Sequence, residues 1–187
     1  MQEHLNNQSY LHVADILATD APDSFAGLSP VASNAMRAMA RFATEFLARP
    51  HPGLGRSGSV CPYVESSIRK RLFLMAVAPQ GEIERALLTA KAHYLAMEPR
   101  TGKDAGLRTI VILFPWVTEA AAPITVDALQ VRLKSQFVRE GLMIGQFHAA
   151  SVEPGLHNPA FRPLRAPVPS LAIRVMVESD LPFLLSR

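Results

Sequence analysis

Two short apolar runs separated by a helical stretch constrain the fold of this chain more than any other feature. Residues 72–78 and 109–114 are continuous, apolar and of strand length, and each is closed by a proline, Pro79 and Pro115. Apolar character without alternation marks a strand buried on both faces. The second run is also rich in β-branched residues (Thr109, Ile110, Val111, Ile112), which suit a pleated surface. Residues 82–97 between the runs read as a helix. Strand, helix and buried strand in that order specify a parallel pair joined by a right-handed crossover.

The remaining elements attach to this unit. Ser29 followed by Pro30 opens a helix, a serine cap with proline at the first helical position. Met36, Met39, Phe42, Phe46 and Leu47 then recur at helical spacing, giving one apolar face. Residues 49–53 end that helix, and a loop with Gly53, Gly55, Arg56 and Gly58 follows. Cys61-Pro62-Tyr63-Val64 starts a short helix. Residues 127–140 form a third long helix with Gly141 as its cap. Residues 143–148 and 171–177 are further strands, and Ser179-Asp180 caps a last short helix. Residues 1–28 have weak periodicity and many turn formers, so they read as a loosely docked arm. Residues 29–187 form one domain. The expected class is α+β, or α/β: a small mixed sheet of about four strands with helices packed on it.

Composition narrows the function. With 187 residues and 49% hydrophobic content, the chain is long enough to bury a core of its own. Its net charge of +3, with arginines scattered rather than striped, argues against nucleic acid. No apolar run reaches membrane-spanning length, and residues 1–4 lack a signal pattern. One cysteine, Cys61, excludes an internal disulfide. The expectation is a cytoplasmic protein.

The chemistry-bearing residues concentrate in a proline-studded segment, residues 145–169. It holds His148, His157, Asn158, Arg162 and Arg165, and its prolines stiffen it. His148 lies just past a predicted strand, where an imidazole either ligates a metal or heme iron or bonds to loop backbone. His93 shares a helix face with Ala86, Thr89, Ala90, Ala96 and Met97, a surface suited to a flat macrocycle or to ordinary packing. Glu153 is a carboxylate in the same segment. Arg56, Arg162 and Arg165 can grip a carboxylate or phosphate bidentately, or remain solvated loop charges. Cys61 is a heme thiolate, a nucleophile or, more ordinarily, a small buried hydrophobe. No Walker loop, dinucleotide fingerprint, Cys-x-x-Cys pair or zinc helix is present.

Several of these segments together resemble a family of small actinobacterial proteins. They are Cys61-Pro62-Tyr63-Val64, Leu113-Phe114-Pro115, Gly141-Leu142-Met143-Ile144-Gly145-Gln146-Phe147-His148, the stretch from His157 to Arg165, and Pro167-Val168-Pro169. That family includes the small heme proteins of D-cycloserine biosynthesis that hydroxylate the guanidino group of L-arginine. The layout is also similar to the heme-dependent guanidine N-hydroxylases of guanitoxin biosynthesis, which share the proline–cysteine motif and the strand–helix–strand order.

The resemblance implies a non-covalent heme b and an L-arginine or similar guanidine substrate. It also implies an external reductase, or peroxide, as the source of oxidising equivalents. On that reading His148, with His93 as the alternative, ligates iron. Arg162, Arg165 and Arg56 hold anionic groups, and a carboxylate neutralises the guanidinium: Glu153 first, with Glu65, Glu178 and Asp180 as the alternatives. Cys61, flanked by Val60, Pro62 and Tyr63, is expected to pack rather than ligate. Two other readings stand beside it: a heme carrier or sensor without a substrate site, and a non-heme protein in which the arginines hold a small anion and His148 acts as acid or base.

Overall fold

The computed structural model describes residues 9–18, 25 and 27–181, the side chain of Ser179 excepted. Among them lies one five-stranded mixed sheet with helices on both faces, an α+β architecture. The two apolar runs form β2 (Phe73–Val77) and β3 (Thr109–Leu113). They pair in parallel, Phe73 opposite Thr109 and Val77 opposite Leu113. Helix α4 (Ile83–Ala96) connects them. Helix α5 (Ala128–Val138), preceded by a wide π turn over Pro123–Asp127, leads from β3 to β4 (Leu142–Phe147).

The strand β5 (Ser170–Val175) is inserted antiparallel between β3 and β4. The sheet order is therefore β1-β2-β3-β5-β4, with β4 at an edge. Both crossover helices lie on one face, where Tyr94, Leu87, Leu133 and Phe137 pack on Ile110, Ile112, Ile144 and Ile173.

The other face carries α1 (Val13–Ala18), α2 (Pro30–Arg41) and α3 (Val64–Arg69). The Oγ of Ser29 accepts the Ala32 N–H at 3.2 Å, and Pro30 takes the first helical position. Met36, Met39 and Ala40 face Phe73, Met75 and Val111. Helix α2 does not stop where its α-hydrogen bonds do. It widens into a π turn over Phe42–Leu47, with the Ala48 N–H reaching Ala43 O at 2.9 Å. Wide turns of this kind often accompany functional sites because they displace the residues that follow.

One expectation needs correcting. The described part of the arm is built into the domain. Leu11 and His12 form β1, antiparallel to β2, and Val13 and Ile16 of α1 are 0% and 2% exposed. A two-residue strand and a six-residue helix are too short for periodicity to reveal. Residues 1–8, 19–24 and 26, also assigned to the arm, lie outside the described residues. No described helix is long and apolar enough to cross a membrane.

Candidate functional site

Helix α2 covers β2 and β3 but leaves β5 and β4 partly bare. On that face Gly145 of β4 stands directly opposite Ala172 of β5. Two such small residues side by side leave a hollow between the sheet and the π turn. It is a cavity of about 160 Å³, walled by Ala43, Cys61, Tyr63, Gly145, Ala172 and Arg174 among others.

Cys61 is held there by backbone contacts. Its N–H donates to Leu47 O at 2.8 Å, its carbonyl accepts from Ser59 Oγ at 3.1 Å, and a bridge between Pro50 and Ser59 closes the loop behind it. The thiol is half-buried.

A second cavity, about 210 Å³, runs along the β4 edge toward α5. Its walls are charged: Asp127, Lys134, Glu153, Arg174 and Asp180. Met143, Gly145 and Arg174 line both cavities, so the apolar and the charged spaces adjoin. The Glu153 carboxylate makes no hydrogen bond among the described residues, although it is half-buried.

Arg174 joins the two spaces. Its Nη1 and Nη2 donate to Asp180 Oδ2 and Oδ1 at 2.7 and 2.5 Å, an end-on bidentate pair. Asp180 is 2% exposed and also accepts the Val177 N–H at 2.8 Å, which anchors the carboxylate. Burial works against the Arg174 charge, but the Asp180 carboxylate outweighs it and holds the guanidinium above its ordinary range. Cys61 and Tyr63 are close enough to act in the same direction. Arg174 and Cys61 line the same apolar cavity.

His148 is 0% exposed. Its Nε2 lies 2.9 Å from Asp127 Oδ1. A carboxylate accepts, so Nε2 carries a proton, and in the neutral ring Nδ1 then presents a lone pair. That Nδ1 is buried and has no partner among the described residues. A ring fixed by a carboxylate with its other nitrogen open is the arrangement found behind metal-ligating and general-base histidines. His148 nevertheless lines neither cavity.

The proline-studded segment packs against the loop after α2. Asn158 Nδ2 donates to Gly53 O at 2.8 Å. His51 and Phe161 stack with centroids 4.8 Å apart, and Phe46 meets both rings. His51 Nδ1 accepts the Gly53 N–H at 3.0 Å. Gly55, at φ +78°, lies so close to His157 that a Cβ would stand 2.8 Å from its carbonyl oxygen.

Several residues singled out in the sequence fall away from the cavities. Arg162 donates to the carbonyls of Pro159 and Phe161, and Arg165 Nε donates to Ser151 O at 3.0 Å. Both brace their own segment. Arg56 is exposed and bonds to Ser57 O and Val60 O. His93 is exposed on α4, where it stacks on Tyr10 at 4.3 Å. His157 is exposed. None of the five lines either cavity.

The residues that line the cavities include two that the sequence did not single out, Asp127 and Arg174, and one, Asp180, that it offered as a candidate acid beside Glu153. The available signal was a lone arginine at an inward-facing position of an apolar strand, with an aspartate six residues on. Among the described residues, no cluster of three or more His, Cys, Asp or Glu side chains could hold a metal ion.

Fold and site together define an α+β domain with an apolar, thiol-bearing cavity set against a charged one. The chain belongs to the family described as "Domain of unknown function (DUF6875)", whose model matches residues 36–187. That match takes in both cavities and all the strands except β1. No curated protein and no solved structure matches the chain.

Proposed function

We propose that this protein binds one heme b in the apolar cavity and hydroxylates the guanidino nitrogen of L-arginine, in the cytoplasm, as a step of D-cycloserine-type antibiotic biosynthesis. The observation that carries the proposal is the junction of the two cavities. An apolar space with a thiol donor suits a flat cofactor, and the adjoining space offers both charge signs to a zwitterionic substrate with a cationic tail. The heme supplies the oxygen chemistry when bound, with electrons from an external reductase or oxidising equivalents from peroxide.

The donor set fits such a group. Cys61 is a donor on the cavity wall, and Arg174 brings a positive charge to the same cavity. This reverses the order expected from sequence, in which His148 and then His93 came before Cys61. His148 is enclosed and lines neither cavity, and His93 is on the outside of α4. The cavities are small, each below the roughly 300–1,000 Å³ of typical ligand pockets. A macrocycle is larger than the apolar cavity of about 160 Å³, so its binding requires the walls of that cavity to part. On the substrate side, unpaired Glu153 meets the guanidinium, with Asp127 behind it. His148, whose Nε2 proton is held by Asp127, orients that second carboxylate.

The test is a visible spectrum of protein purified from heme-supplemented cells, followed by spectra of Cys61→Ala and His148→Ala. A Soret band altered in Cys61→Ala and kept in His148→Ala supports the assignment. The opposite pattern moves the ligand to His148. Absence of a Soret band, with no uptake of added hemin, refutes the heme reading. A Soret band that L-arginine does not perturb, without hydroxylated product under any oxidant, leaves a heme carrier instead.

A further inference from the structure

The least explained group in the site is the outer edge of Arg174. A guanidinium carries five N–H donors in a rigid plane. In this structure Nη1 uses both of its protons, one on Asp180 Oδ2 at 2.7 Å and one on Val175 O at 2.9 Å. Nη2 uses one, on Asp180 Oδ1. The remaining Nη2 proton and the Nε proton lie side by side along the other edge, and neither has a partner among the described residues. They form a second, side-on fork.

The plane of that fork is fixed, because Asp180 is clamped from behind by the Val177 N–H. Arg174 borders both cavities. A preset, parallel pair of donors matches the two oxygens of a carboxylate.

We propose that the free edge of Arg174 is the carboxylate-binding element of this site, and that Asp180 is its positioning residue. The ligand is a carboxylate-bearing molecule seated at the junction of the cavities. The carboxylate belongs either to an amino-acid substrate or to a cofactor side chain. The inference uses the two-cavity site of the preceding reading but does not need heme to be bound. It also transfers to Arg174 the role that sequence gave to Arg162, Arg165 and Arg56, which bond to loop carbonyls and line neither cavity.

The test follows the Arg174 Nε–H by ¹⁵N NMR in the wild-type protein. The resonance is assigned through the backbone and confirmed by its loss in Arg174→Lys. Sodium acetate should move this signal, and sodium chloride at equal ionic strength should not. Two ligand pairs then separate the sources. L-arginine should bind roughly tenfold or more tightly than agmatine, which lacks the carboxylate, if the substrate is the source. Hemin should exceed hemin dimethyl ester by the same margin if the cofactor is the source. The size is that expected of a charge-assisted contact.

Arg174→Lys keeps a charge opposite Asp180 but has no second fork, so it should erase whichever preference the wild type shows. If that variant does not fold, the wild-type titrations still decide. An Nε–H signal indifferent to acetate, L-arginine and hemin overturns the proposal, whatever the Soret region shows. A signal that responds to acetate or L-arginine in protein that neither shows a Soret band nor takes up added hemin supports it while refuting the heme reading.

Discussion

Replacing Gly55 with alanine tests how the loop behind Cys61 is held. Two costs add at this position. At φ +78° an L-residue is in the left-handed region, which costs about 1–2 kcal/mol. The new Cβ also stands 2.8 Å from the carbonyl oxygen and 3.0 Å from the carbonyl carbon of His157. Both are backbone atoms and cannot rotate aside, so overpacking adds about 1–3 kcal/mol. Gly81 is the matched control. Its φ is +81°, and an added Cβ there meets nothing within 4 Å, so Gly81→Ala carries only the first cost.

The expected difference between the two variants is thus about 1–3 kcal/mol. Urea unfolding followed by the fluorescence of Trp116, the single tryptophan, measures it, with unchanged m values required for the comparison. Gly55→Ala should also speed tryptic cleavage after Arg165, because the two loops must part. Equal destabilisation by both alanines, within about 0.5 kcal/mol, would refute the close-contact argument and leave only the backbone term.

Three further outcomes are expected. Asp127→Ala strands the buried His148 Nε2–H and should cost about 1–3 kcal/mol, part of which Asp127→Ala/His148→Leu should restore in the same urea assay. Burial raises the phenols of Tyr10, to about 12, and of Tyr94. An ultraviolet titration should therefore show late ionisation, with the Tyr10 step removed in Tyr10→Phe, and Tyr10 should favour the folded state less and less as pH rises from 10 through that value. Burial lowers His93, so its contribution is present above its ordinary range near 6.5 and is lost on acidification. Melting temperatures from pH 7.5 to 5.5 should fall more in the wild type than in His93→Gln, and equal slopes would dissociate His93 from the docking of Tyr10.

The parallel pair was legible because its strands are buried on both faces, which forces continuous apolar runs. Residues 72–78 and 109–114 are closely matched by β2 and β3. Capping chemistry placed the start of α2, since Ser29 and Pro30 act locally. The insertion of β5 between β3 and β4 was not legible. Pairing order depends on which edges meet in three dimensions, and nothing in the sequence of β5 records its neighbours.

The site divides along the same line. Glu153 was named as a candidate carboxylate and stands on the wall of one cavity, and Cys61, expected to pack, stands on the wall of the other. Arg162 and Arg165 looked like ligand-binding groups because charge and rigidity coincide there, but they bond to carbonyls of their own segment and line neither cavity. Arg174 was passed over because a charged residue within a strand gives no sign of what its far end reaches. Its partner Asp180 lies beyond the strand, across a turn.

The placement of β5 also governs the order in which this molecule can be completed. Synthesis proceeds from the N-terminus, and sequence-adjacent pieces assemble first. A nascent chain that ends before Ser170 has β2 beside β3, and β4 with no strand to join. The strand that unites them is the last of the five to be made. Both cavities take their shared wall from β4 and β5, so neither exists until β5 is seated. A ligand that needs this site can stabilise only a chain that includes β5, and truncation before Ser170 removes an interior strand of the sheet rather than an edge strand.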